Sequence, residues 1–147
     1  MPMRPIDYFT KEQQKQIVEA IKEAEKNTSG EIRVHIEKRC KIDVLDRAAD
    51  IFAMLKMHKT ELRNGVLFYL SIEDRKFAIL GDAGINAKVP NNFWESVKEA
   101  VFEQFKQNNQ TEGLVKGILM AGEKLKAHFP YQKDDVNELS DEISFGN

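Results

Sequence analysis

The stretch Gly65 to Ile72, GVLFYLSI, is almost wholly apolar and is bounded by polar residues. Such a run predicts a strand buried on both faces of a sheet. Glu73-Asp74-Arg75 supplies a polar turn, and Lys76 to Leu80 a returning strand, so the two predict an antiparallel hairpin. Gly81-Asp82-Ala83-Gly84 follows. Two glycines free to take positive φ would leave the Asp82 carboxylate uncrowded.

A strand buried on both faces needs helices on each side, and the flanking sequence supplies them. Thr10-Lys-Glu-Gln13 reads as a capping box ahead of Ile17, Ala20, Ile21 and Ala24 on one helical face. Ile32, Val34 and Ile36 alternate with Arg33, His35 and Glu37, the period of a strand with one apolar and one polar face. Asp43 and Asp46 offer caps for a helix buried through Ala48, Ile51, Phe52 and Leu55. A right-handed crossover then makes the strands at Glu31 and Gly65 parallel. Asn92 opens another helix carrying Val97, Ala100, Val101 and Phe105. Leu114, Ile118, Ala121 and Leu125 mark the last, whose Gly113, Gly117 and Gly122 predict close packing against a neighbour. The fold class is α/β, a small mixed sheet of about four strands between helical layers, with the fourth strand near Ala87 to Val89 or in the tail.

At 147 residues the chain holds one core, so residues 1–147 read as a single domain. A net charge of -2 gives no basic excess for nucleic acid, and Cys40 is alone, which excludes an internal disulfide. The three histidines lack zinc spacing. No segment has the apolar length of a signal peptide or a membrane span, which makes the cytoplasm the expected compartment.

Four motifs together resemble the TPM domains of bacterial and chloroplast proteins. They are Thr28-Ser29-Gly30-Glu31-Ile32, Arg63-Asn64-Gly65-Val66-Leu67, Glu73-Asp74-Arg75-Lys76 and Gly81-Asp82-Ala83-Gly84. The resemblance spans roughly Thr10 to Phe129 and implies a three-layer α/β/α sandwich, with phosphate-ester or nucleotide hydrolysis and divalent-metal binding among the family's activities. Two departures bear on function. Many family members carry an aspartate after the hairpin where this chain has Pro90-Asn91-Asn92, and a neutral amide is neither a general base nor a strong ligand for a hard cation. The family's glycine-rich approach to the second strand is replaced by Met57 to Leu62.

The tail, residues 130–147, is acidic: Asp134, Asp135, Glu138, Asp141 and Glu142 have no basic neighbour between them. The remainder is net positive, and Val136, Leu139, Ile143 and Phe145 interleave the acids, so the tail is expected to fold back on the body. Topology brings it to the edge of the sheet that carries Asp82. Carboxylates and amides without thiolates are ligands for calcium or magnesium, and the expected set is Asp82, Asp135, Asn137, Glu138 and Asp141. Three functions stay open: a metal-responsive regulatory or interaction domain; a metal-assisted phosphatase or nucleotide phosphohydrolase binding phosphate through Arg63, Asn64 and the helix start at Asn92; and an interaction module without metal. The corresponding partners are a divalent ion, a phosphate-containing small molecule, or another protein.

Overall fold

The computed structural model describes residues 4–132 and 137–146, and the apolar hairpin lies at the centre of its sheet. Strands β1 (Glu31–Glu37), β2 (Gly65–Ser71), β3 (Lys76–Gly81) and β4 (Ser144–Phe145) are ordered β3-β2-β1-β4. β1 and β2 are parallel, with Glu31 opposite Gly65 and Glu37 opposite Ser71. β3 returns antiparallel to β2, and β4 lies parallel to β1 with Ser144 opposite His35. The fourth strand therefore comes from the tail.

Six helices are described: α1 (Pro5–Tyr8), α2 (Lys11–Glu25), α3 (Val44–Met54), α4 (Ala83–Asn86), α5 (Glu95–Lys106) and α6 (Gln110–Lys126). The capping box of α2 forms between Thr10 and Gln13, and Asp43 caps α3 by accepting from the amides of Leu45 and Asp46. Pleating sends Val66, Phe68 and Leu70 to one face of the sheet, where Ile32, Val34, Ile36 and the apolar stripes of α2, α5 and α6 close over them. Leu67, Tyr69 and Ala78 face the other way, against Ile51 and Phe52 of α3. The result is a three-layer α/β/α sandwich. Gly122 shows why α6 carries glycine: a Cβ there would stand 2.8 Å from the Ala24 Cβ and 2.9 Å from its Cα, so α2 and α6 could not approach as they do.

Two local expectations are corrected. No described glycine has positive φ; Gly84 lies in α4, and an added Cβ would fall 2.1 Å from the Leu62 carbonyl oxygen. Close approach of two backbones, not a left-handed turn, requires glycine there. Helix α5 begins at Glu95 rather than Asn92, because turns occupy Asn91 to Trp94, and no side chain caps it.

Topology gathers one edge of the sheet for everything that follows. β1 and β2 start there, β3 ends there, and α6 returns there, since the Ser29 amide donates to the Phe129 carbonyl and Thr28 bridges Pro130. From that edge the tail runs along β1 and contacts its polar residues in turn. Glu31 accepts from the amides of Glu138 and Leu139, Arg33 donates to the Glu142 carbonyl at 3.4 Å, and His35 Nδ1 lies 2.8 Å from Ser144 Oγ. The Gly146 amide then donates to Ile36.

Candidate functional site at the amino edge of the sheet

The turn before β1 is fixed by hydroxyl and amide groups. Thr28 Oγ1 donates to the Phe129 carbonyl and accepts from the Gly30 amide. Asn64, 2% exposed, donates through its side chain to the Ser29 carbonyl, and its own carbonyl accepts from the Glu31 amide. Asn64 is thus a tie between the starts of β1 and β2.

Asp82 sits beside this turn with both oxygens engaged. Arg63, held at φ 51°, donates from Nε and Nη2 to the Asp82 carboxylate, each at 2.8 Å, and the Ala83 amide donates to Oδ1 at 2.7 Å. The Arg63 carbonyl accepts from the Gly84 amide at 2.9 Å. Arg63, Asp82 and Gly84 thereby form one clamp joining the approach to β2 with the exit from β3. Among the described residues no hydrogen bond links Asp82 to Asn137, Glu138 or Asp141.

A second acidic group lies where α2 ends, β1 begins and the tail arrives. Glu25, Thr28, Ser29, Gly30, Glu31, Tyr131 and Asn137 line a cavity of about 160 Å³. Glu25 accepts from the Ile32 amide at 3.0 Å, yet burial, and then the adjacent Asp141 carboxyl, push its pKa up to about 9. Glu31, 4% exposed, is pushed up to about 7, chiefly by burial and further by the Glu138 and Asp141 charges, against the lowering effect of its two tail amide bonds. Glu31 Oε2 and Asp141 Oδ1 are buried without a hydrogen-bond donor. Orphaned buried oxygens of this kind leave a desolvation penalty of roughly 1–3 kcal/mol each uncompensated. The Glu138 carboxylate accepts from the Glu61 amide at 3.1 Å.

The structure therefore divides the residues singled out from the sequence. Glu138 and Asp141 meet Glu31 and Glu25, Asn137 lines the same cavity, and Asp135 lies outside the described residues. Of the three residues expected to receive phosphate, Arg63 is paired with Asp82, Asn64 is buried with its amide on the Ser29 carbonyl, and Asn92 is exposed in the turn ahead of α5. Glu25 and Glu31 were not among the expected ligands. A signal existed for Glu25, which is an acid at the last position of a helix, where the macrodipole disfavours negative charge.

Further along β1, Glu37 accepts from Arg47 Nε and Nη2 at 2.8 and 2.9 Å and from the Tyr69 hydroxyl. Burial alone would raise its pKa, but these bonds win and lower it. His35 is pushed down by burial. This network is satisfied and ties α3 to the sheet.

Among the described residues, no group of three or more His, Cys, Asp or Glu side chains is arranged to hold a metal ion, and no helix is long and apolar enough to cross a membrane. A TPM domain model matches residues 4–124. The NMR structure of the BA42 protein from the psychrophilic bacterium Bizionia argentinensis is 54% identical, with a TM-score of 0.90 over 95% of this chain and 96% of that one. The N-terminal domain of a P. gingivalis protein aligns at 16% identity and TM-score 0.69 over 84% of this chain and 82% of its own. The N-terminal domain of the cg2496 protein from Corynebacterium glutamicum aligns at 11% and 0.62, over 95% and 80%. The last two show likeness of fold alone. No curated protein sequence matches this chain.

Proposed function

Because the chain belongs to the TPM domain family, we propose that it is a metal-responsive binding domain in which calcium or magnesium joins the body to the tail. The observation that carries this reading is the buried Glu31 Oε2, which has no donor, beside a Glu25 carboxyl whose pKa burial and the adjacent Asp141 push up to about 9. An all-oxygen set from Glu25, Glu31, Asn137, Glu138 and Asp141 suits a hard cation. The ion would replace protons and satisfy the orphaned atoms. Since the carboxyls do not already converge as a metal centre, uptake requires the tail acids to shift onto the ion, and the position of the tail then reports its presence. Asp82, saturated by Arg63, is outside this set.

Calcium and magnesium titration by calorimetry and thermal melting tests the reading. At a hundredfold excess over Kd the folded state should gain about 2.7 kcal/mol, seen as a higher melting temperature. Calorimetry in buffers of different protonation enthalpy should show proton release. Glu31→Gln with Asp141→Asn should abolish both effects. Absence of any saturable effect in the unaltered protein overturns the proposal, and phosphate release from p-nitrophenyl phosphate in the same samples would instead establish phosphoester hydrolysis.

A further inference from the structure

A cavity of about 480 Å³ lies at the opposite edge of the sheet, between the β2–β3 turn and the end of α5. Its volume falls within the roughly 300–1,000 Å³ typical of small-molecule sites. The apolar wall is Ile72, Phe102 and Phe105, with Tyr8 of α1 at its margin. Phe102 and Tyr8 remain 38% and 36% exposed. Phe102 is nonetheless held edge-on by Phe77 and Phe105, with ring centroids 5.8 and 6.2 Å away, so the wall is preformed and needs no ordering when covered.

Three charged residues line the same cavity: Arg75, Lys106 and Glu73. Glu73 is already spoken for, with Arg39 Nε at 2.6 Å and Lys38 Nζ at 3.8 Å. Among the described residues no ion pair engages Arg75 or Lys106. With Glu73 paired to cations outside the lining, Arg75 and Lys106 leave uncompensated positive charge beside an aromatic wall. Arg75 is held in the left-handed region at φ 52° by the tight turn, which fixes where its side chain leaves the backbone.

We propose that the cavity formed by Phe102, Phe105, Ile72 and Tyr8 binds a small amphipathic monocarboxylate, its apolar body against the aromatic wall and its carboxylate between Arg75 and Lys106. The planar guanidinium fork suits a carboxylate, and the uncompensated Lys106 and Arg75 charges favour an anion. The site is at the other edge of the sheet from the Glu25–Glu31 cavity and does not depend on metal.

Titration of the full chain with octanoate, followed by amide NMR, tests this. Saturable shifts of amides in Glu73 to Phe77 and Phe102 to Gln110 are expected, with or without calcium. Octanamide, which lacks the charge, should bind about tenfold more weakly, and the Arg75→Gln, Lys106→Gln double variant should lose about tenfold for octanoate, as two exposed charge contacts would give. Both side chains are at the surface, so folding is preserved and a spectrum of the free variant verifies it. Phe102→Asp should weaken both ligands. Non-saturating shifts, shifts centred elsewhere, or equal affinity of octanoate and octanamide would overturn the proposal.

Discussion

The amino edge of the sheet holds two groups of carboxylates that differ in one respect: Asp82 is fully satisfied and Glu31 is not. Both are buried, at 6% and 4% exposure. Asp82 receives a two-point Arg63 contact and a helix-start amide, and nothing about it is left to bind. Glu31 receives two tail amides on Oε1 and nothing on Oε2, while Glu25 faces Asp141 acid to acid. A carboxylate with its own cation stabilises a turn. Crowded carboxyls without one favour protons, or a divalent ion, over the bare charged state.

The largest expected effect falls on the satisfied side. Gly84→Ala places a methyl group within 2.1 Å of one backbone oxygen and 2.6 Å of another, neither of which can rotate away. Chemical denaturation should show a loss above about 4 kcal/mol or failure to fold. A loss below about 1 kcal/mol would mean that the clamp yields easily and that the comparison is false. Next comes Arg63→Met, which strands the Asp82 charge. Removing one partner of a buried pair is destabilising, and the exposed guanidinium makes this loss smaller than that of Gly84→Ala. The calcium-dependent rise in melting temperature should survive this change, since the clamp takes no part in metal uptake. Its disappearance would merge the two groups into one site.

The same contrast explains what could be read from the chain. Period and apolar length sufficed for the hairpin and the capped starts of α2 and α3, because each depends on neighbours within a few residues, and the handedness of the crossover supplied the parallel β1–β2 pair. Gly84 could be recognised as special, but its reason is a backbone from residues 62 and 63, which no local pattern announces. Asp82 looked available because Arg63 is nineteen positions away and its left-handed φ is set by the fold. Glu25 and Glu31 were hidden differently. Each reads as an ordinary polar residue at the end of an element, and only the tail, arriving more than a hundred positions later, crowds further carboxyls against them.

On the unsatisfied side, Glu31→Gln should leave stability within about 1 kcal/mol of the starting protein without metal, because the amide keeps an oxygen to accept from the Glu138 and Leu139 amides and removes a buried charge that has no cation. Asp82→Asn, by contrast, should destabilise, as it removes the charge from Arg63. Thermal melts of the two variants with chelator present compare them directly, and equal losses would erase the distinction.

The smallest effect is a pH dependence with a definite sign. Burial pushes the Glu25 and Glu31 carboxyls up to about 9 and about 7 from an ordinary 4.5, so between these limits the native state holds protons that the unfolded chain has released. Stability from these groups is therefore complete below about pH 4.5 and declines as pH rises through 7 and 9. His35 and Glu37, both shifted downward, exert their effects at lower pH and leave the interval from pH 7 to 9 to the two glutamates. Partial solvent contact keeps the change modest, and a fall in melting temperature of about 2–4 °C across that interval is expected without metal. Glu25→Gln should flatten the slope. Saturating calcium should also flatten it, because ion binding requires the deprotonated carboxylates and so tightens as pH rises. If the slope is unchanged in Glu25→Gln and calcium leaves it intact, the acids at this edge are as well satisfied as Asp82, and the cation reading fails with the comparison.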